Sequence, residues 1–499
     1  MARNKRITVS DVLKDHMHKW QRGDIITIEA GTGVGKSHFI KNGLYPVAKE
    51  EGSKILFLLN RTRLNEQFQK EIERDCKTDV ITIRLYQKYE WELIHNNVVV
   101  NEEYKYLVCD EFHYFLTESK FNENTEDSFN AIIKEKNKIR IFMSATADAM
   151  ISYLKFKNIE HESHSIPHDY SHIKELIFYK NDKVLEKFLG TVPKNKKAIC
   201  FNKSSAKGLA LHETFKNSLF VCSDSGTTKE KKYVDKDKVM NMLTEEKFAE
   251  KFLFTTSTLD NGVNLKDRAI KYVIADIGDV DTLIQCLGRK RIIDKRDKVT
   301  VIIKDISDKM INKLIRDCEI QINPAIYLKE NGAAEYVKKY KKKTNNKIVY
   351  DCLSDDETGY KKTINELRFF KENYDKELYE SMLLEENGYM NYIQSKLQQQ
   401  TYTVLDDTYE KVSLSDFLDT LINKRLYKED QDKLVKKIGL RDGRKRLQKS
   451  AKSLNVYFSE NEIPYVISYK NRDKRRTLSN GQPNPNHDKY YWVIAKFQC

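Results

Sequence analysis

The run Ala30-Gly-Thr-Gly-Val-Gly-Lys36-Ser37 has residue types that can hold a polyphosphate. Gly31, Gly33 and Gly35, with Thr32 and Val34 between them, let successive backbone N–H groups turn inward around phosphate oxygens. A helix opening near Lys36 adds the positive end of its dipole. Lys36 is expected to reach the β- and γ-phosphates of a nucleotide such as ATP, and the Ser37 hydroxyl to ligate Mg2+. The general pattern has Gly where this chain has Ala30, and an ordinary glycine-rich strand-to-helix turn is the bland alternative. Against it stand an apolar run before the loop (residues 25–29) and a helical pattern after it, from His38. Further along, Asp110-Glu-Phe-His113 closes another apolar run. Asp110 is suited to hold Mg2+, and Glu111 to orient and deprotonate an attacking water. Read alone, the acidic pair would cap the next helix; beside a phosphate loop it reads as the second half of a nucleotide site. Ser144-Ala-Thr146 closes a third apolar run. Its small side chains permit close backbone approach, and its hydroxyls can relay hydrogen bonds from a γ-phosphate to a neighbouring domain.

These segments need a scaffold that brings three strand ends together. Apolar runs at 25–29, 54–59, 81–87, 104–109 and 139–143 alternate with helical patterns, as in a parallel sheet covered on both faces, where ligands sit at the carboxyl ends of the strands. A helix is expected over 8–20, with Ser10 or Asp11 as its N-cap. A second alternating series begins at Glu175 and closes at 298–304. Between the two, 156–174 reads as a linker. Its His161, His164, His168 and His172 have spacings that could gather a metal on a helix, but Pro167 interrupts that helix and a solvated linker is expected. After Ser307 the alternation stops. Residues 307–405 read as a charged, mostly helical region, whose Lys338-Lys-Tyr-Lys-Lys-Lys343 is a solvated face or a backbone-contacting patch.

With 88 Lys and Arg against 74 Asp and Glu, the formal charge of +14 favours a polyanionic partner, unless it only solvates the surface. The eight cysteines are scattered without a C-x-x-C pair, which implies a reducing compartment and no zinc frame. No apolar stretch approaches the roughly 18 residues of a membrane span, and the basic amino terminus lacks a signal-peptide core, so a cytoplasmic location is expected. In 406–499, helical patterns at 413–422, 430–438 and 442–458 precede two β-like runs, 465–469 and 490–495. That is the order of a winged helix. The third helix would then enter a groove with Arg444, Lys445, Arg446, Lys449 and Lys452, while Arg472, Lys474, Arg475 and Arg476 on the wing meet phosphate. The alternative is a helical bundle capped by a hairpin.

The order of residues 30–37, 110–113 and 144–146 resembles the superfamily-2 DExH-box helicases. The resemblance implies an α/β fold of two RecA-like parallel-sheet lobes, 1–155 and 175–306, with ATP and Mg2+ between them. Arg61-x-x-Leu64-x-x-Gln67 resembles the family segment that touches the nucleic-acid backbone, and 197–205 resembles its fourth motif. Residues 252–267 are similar to the fifth, which implies strand and nucleotide roles for Thr256, Gly262 and Asp267. Gln285-Cys-Leu-Gly288-Arg289-Lys290-Arg291 resembles the sixth, with one departure. The family places two arginines three apart after the glycine, whereas here Arg291 follows Arg289 and Ile292 takes the usual second place. Arg289 is the implied arginine finger, a group worth about 10³–10⁵ in rate; a second finger from Arg291 stays open. His113, Ser144 and Thr146 are the implied coupling residues. The expected function is an ATP-dependent DNA helicase or translocase. A Lys-, Asn- and Tyr-rich composition suits phage or mobile-element replication or recombination. An RNA helicase and an ATP-gated DNA-binding or loading factor are the alternatives; no protein partner is identifiable and no membrane is implied.

Overall fold

A computed structural model describes residues 7–60, 62–95, 102–223, 228–259, 263–341, 348–353, 359–443, 446–478 and 481–497. The first apolar series forms β1 (Ile25–Ala30), β2 (Lys54–Leu59), β3 (Ile81–Leu85), β4 (Tyr104–Asp110) and β5 (Ile139–Ser144), joined by β6 (Glu162–Ile166). The sheet order is β3-β2-β4-β5-β1-β6, and each neighbouring pair is parallel. Helices cover both faces, so β2 and β5 are apolar almost throughout rather than alternating. Ile28, Phe57 and Ile141 pack on Phe39 and Phe68 on one face. Leu58, Leu107 and Phe142 pack with Tyr86, Phe115 and Phe129 on the other. Because β5 lies between β4 and β1, the three candidate segments leave adjacent strand ends.

Two local expectations are corrected. Thr8, not Ser10 or Asp11, caps the first helix: its side chain accepts from Asp11 N while Asp11 accepts from Thr8 N, a reciprocal capping box, and the helix is only Val9–Leu13. Within the expected linker, Glu162–Ile166 pairs with β1 from Ile26↔Glu162 to Ala30↔Ile166. As an edge strand burying only His164 and Ile166, β6 carries little apolar signal.

The second series forms β7 (Ile173–Tyr179), β8 (Lys197–Phe201), β9 (Ser218–Val221), β10 (Phe252–Thr255), β11 (Ile270–Ala275) and β12 (Val299–Lys304), ordered β7-β12-β11-β8-β10-β9 within a seven-stranded sheet. Thus both lobes are parallel-sheet α/β units of the RecA-like kind. The following region contains helices and also the hairpin 349–353/360–364. Its helix Glu366–Met382 packs on the first lobe: Leu367 is wholly buried among the side chains on Phe115 and Phe129, and Glu366 N donates to Glu126 Oε1 at 2.8 Å.

Residues 179–189 and 404–499 make a second compact unit. Helices Leu405–Asp419, Lys428–Ile438 and Ala451–Glu460 precede an antiparallel hairpin, Tyr465–Arg472 with Tyr490–Lys496. Leu418, Leu434, Leu454, Phe458, Ile467 and Ile494 form its core. Gly439, at φ 72°, ends the second helix in the left-handed conformation that glycine adopts without strain. The third helix starts at Ala451 under a Ser450 cap, not at Asp442. Asp442 instead accepts from Arg446 N at 2.8 Å, and Arg441 bridges Leu447, so Arg446 and Lys449 precede the helix. No described helix is long and apolar enough to cross a membrane.

Candidate nucleotide site

The phosphate loop leaves β1 and turns through Gly33 (φ 79°) and Gly35 (φ 93°), left-handed conformations that a side chain would strain. Gly35 is the N-cap of the helix carrying Lys36 and the exposed Ser37. Lys36 is buried. Its Nζ donates to Ala30 O at 3.0 Å and lies 3.7 Å from Glu111 Oε1, between the loop and the acidic pair. Asp110 ends β4, and Glu111 follows at φ 49°. Left-handed backbone at a non-glycine residue costs about 1 kcal/mol and tends to persist where the surrounding structure requires it.

The two carboxyls titrate in opposite directions. Burial, then the neighbouring Glu111 charge, pushes Asp110 up to about 7. Burial also acts to raise Glu111, but the charge of Lys36 foremost, with that of Arg289, outweighs it and holds that carboxyl below its usual range. Asp110 Oδ1 is buried without a hydrogen-bond partner. An orphaned carboxylate oxygen beside a phosphate loop, with a serine hydroxyl at the loop's end, is a hard oxygen donor set that fits Mg2+.

A chain of hydrogen bonds runs from Glu111 into the second lobe. Ser144 Oγ lies 3.4 Å from Glu111 Oε2 and 2.9 Å from His113 Nδ1, and it accepts from Thr146 N at 3.0 Å. Gln285 Nε2 lies 2.8 Å from His113 Nε2. Burial, against the pull of Glu111, lowers the His113 pKa and keeps the ring neutral. The tautomer with its proton on Nδ1 then satisfies the whole chain. Gln285 donates to His113, His113 to Ser144, and Ser144 to Glu111.

The helix Val280–Leu287 positions Gln285 and delivers the arginines, with Asp279 as its N-cap. Arg289 is buried and donates from Nε to Gln285 O at 3.2 Å. Gly288 sits so close to the phosphate loop that a Cβ there would lie 2.4 Å from Thr32 Oγ1. A Cβ on Gly33 would lie 3.1 Å from Arg291 Nη1, which places the Arg291 guanidinium against the loop. A cleft of about 1120 Å³ opens here, lined by Thr32, Gly33, Tyr170, Asn264 and Arg291 among others.

Asp267 sits in the turn before β11. It bonds Lys197 Nζ at 2.9 Å and Ala269 N at 2.8 Å, at the starts of β8 and β11, which is a turn-stabilising role within the second sheet. The residue missed is Asn264, whose Oδ1 accepts from Arg291 Nε at 2.5 Å. Its signal was its place two residues after Gly262. His168 was also missed as a loop neighbour, although its Nδ1 would lie 3.0 Å from a Cβ on Gly31. Nothing in the sequence pointed to Lys371 of the helix Glu366–Met382, which lines a smaller cleft with His113 and Gln285. Thr256 is half-buried just after β10. Arg61, Gly262 and Arg444 lie outside the described residues, as does the side chain of Gln67. In the C-terminal unit, Arg446 pairs with Asp442. Arg475 holds Asp473 through Nε at 3.0 Å and Nη2 at 2.8 Å, so it organises its own loop.

Two parallel-sheet lobes that meet over a phosphate loop, an acidic pair, the buried Arg289 and the half-buried Arg291 define a helicase-type ATP hydrolase. Residues 11–152 match the family model described as DEAD/DEAH box helicase, so the first lobe is a domain of that kind. No curated protein matches the chain. Among solved structures, the chain is similar to S. cerevisiae Dbp5 bound to RNA and ADP BeF3, with 18% identity over 64% of this chain and 90% of that one at a TM-score of 0.42. It is also similar to the DEAD-box helicase Mss116 bound to ssRNA and UDP-BeF, with 15% identity, 63% and 72% coverage and a TM-score of 0.45. The Pyrococcus furiosus Hef helicase domain is a third, with 13% identity, 60% and 97% coverage and a TM-score of 0.35.

Proposed function

We propose that this chain is an ATP-driven motor on nucleic acid, with DNA as its track, in which hydrolysis is licensed by the fit of the second lobe against the phosphate loop. The observation that carries the reading is the bond between Gln285 and His113, which connects the second lobe to the catalytic carboxylate through Ser144. Glu111 is the base that takes the proton of the attacking water, and its depressed pKa keeps it ionised for that step. Lys36 and the loop amides hold the β- and γ-phosphates. Arg289 and Arg291 stabilise charge on the γ-phosphoryl group as it transfers, with Asn264 fixing the direction of Arg291. Asp110 and Ser37 would hold Mg2+, which supplies further neutralisation of phosphate charge. Separation of the lobes would withdraw Gln285 and both arginines together, so hydrolysis and lobe movement are one coupled event.

The track is proposed on the positive charge and on the C-terminal unit, whose three helices and hairpin have the order of a winged helix. Lys474 and Arg476, exposed beyond the hairpin's first strand, are its phosphate contacts in this reading. The composition supports a phage or mobile-element replication or recombination setting. ATP hydrolysis measured alone and with single-stranded DNA, duplex DNA and single-stranded RNA tests the proposal, with Lys36→Ala as blank. Stimulation by DNA and its loss in the variant are expected. Stimulation by RNA alone would replace the track, and a flat rate with tight ATP-dependent DNA binding would replace the motor by a clamp.

A further inference from the structure

A second cluster of chemistry-bearing side chains lies at the edge of the first lobe, where His16 of the turn after the first helix meets Glu162 and His164 of β6. The candidate ligand atoms of the three residues all lie within 4.8 Å of one another. His16 Nδ1 is 3.2 Å from Glu162 Oε1, and His164 Nε2 is 2.7 Å from the same oxygen. The imidazoles stand edge to face, with centroids 4.7 Å apart. Donors on a tetrahedral ion with metal–nitrogen bonds of about 2.0–2.1 Å stand roughly 3.3 Å from each other, so the cluster already has that scale.

His164 supplies the second observation. It is only 9% exposed, yet its Nε2 is without a hydrogen-bond partner. A buried imidazole nitrogen 2.7 Å from a carboxylate oxygen, with no geometric hydrogen bond at that nitrogen, leaves both atoms placed to share one ion. His16 and Glu162 are 45% and 42% exposed, which leaves the cluster open for ion entry.

We propose that His16, Glu162 and His164 bind one divalent transition-metal ion of the zinc class. Two imidazoles and a carboxylate suit Zn2+ or Co2+ and disfavour Mg2+ and Ca2+, which select all-oxygen sets. The ion ties together two chain segments that flank the phosphate loop. The helix just before His16 begins at Val9, whose N–H donates to Val34 O at 3.1 Å. Beyond His164 the chain reaches His168, packed against Gly31. The site is separate from the Asp110 centre, and its existence does not rest on the hydrolytic reading.

The test uses the full chain stripped with EDTA and titrated with Zn2+, then with Co2+ as a spectroscopic probe. One equivalent should bind, and Lys36→Ala should bind it equally. Changes outside the ligand set alone cost metal sites about 10–100-fold in affinity, so His16→Ala and His164→Ala should each cost at least about tenfold. His16→Ala, half exposed, is the decisive variant, with circular dichroism as the check on folding. Cys76→Ser removes an exposed thiol and should change nothing, and the Co2+ spectrum should lack a thiolate charge-transfer band. Hydrogen exchange at the Val9 amide should slow when Zn2+ binds the parent but not His16→Ala. Absence of saturable binding, undiminished binding by folded His16→Ala, a thiolate band, or unaltered exchange at Val9 would each overturn the proposal.

Discussion

At the scale of single residues, the site depends on two contacts that leave no room for change. Gly288 faces Thr32 so closely that an alanine would place its Cβ 2.4 Å from Oγ1 and 3.0 Å from Cγ2. Gly288→Ala must therefore push Arg289 and Arg291 away from the phosphate loop. The expected result is a fall in kcat of about 10²–10³, the usual cost of losing a transition-state charge partner, with a much smaller change in KM for ATP. Adding Thr32→Ala removes both clashing atoms and should restore part of the rate; no restoration would mean that Gly288 acts through its own backbone. His113 makes the other contact. His113→Ala cuts the chain between Gln285 and Glu111 without touching Lys36, so nucleic-acid stimulation should fall at least about tenfold, a coupling loss near 1.4 kcal/mol, while hydrolysis without nucleic acid changes less. Equal loss in both rates would place His113 in chemistry rather than coupling.

At the scale of elements, the helix Glu366–Met382 belongs energetically to the first lobe although it follows the second in sequence. Leu367 is wholly buried there, and Leu367→Ala should destabilise the first lobe by about 2–5 kcal/mol, read as an earlier urea transition. The helix begins on Glu126, which burial raises to about 7. Its folded pKa exceeds the unfolded value, so between about 4.5 and 7 the native state binds the extra proton and stability falls as pH rises. Glu126→Gln should flatten that slope in thermal melts and leave the variant relatively more stable above pH 7; parallel curves for variant and parent would remove Glu126 as the cause. The sequence could not announce this helix's partner, because its pattern shows an apolar face without naming what covers it. The strands were legible for the opposite reason, since β2 and β5 are buried on both faces and read as unbroken apolar runs. The polar edge strand β6 was not. In the site, the phosphate loop and the acidic pair could be located by residue type and spacing, and Gln285 by its segment's resemblance to a family motif. Asn264 could not be told from Asp267, because only the approach of Arg291 distinguishes two amide or carboxylate side chains three residues apart. The third C-terminal helix was overextended for a comparable reason. Helical spacing continues through 442–450, but the Arg446 bond to Asp442 and the Ser450 cap end that option.

For the whole molecule, the +14 charge matters through where it can meet phosphate, and the C-terminal unit divides its cations into two groups. Arg475 is committed to Asp473, which Arg425 also contacts at 2.7 Å, so its loss would loosen the loop rather than remove a free charge. Lys474 and Arg476 flank it and are exposed. Each phosphate contact contributes close to one unit of slope to the dependence of log affinity on log salt. Lys474→Gln with Arg476→Gln should therefore weaken DNA binding and reduce the slope by about two, while the hydrolysis rate at saturating DNA stays near that of the parent. Arg475→Gln should instead lower the melting temperature of the C-terminal unit, because Asp473 loses a two-pronged partner. If the double variant keeps the parent's salt slope, the wing is not on the track, and the charge that matters for binding lies on the two lobes.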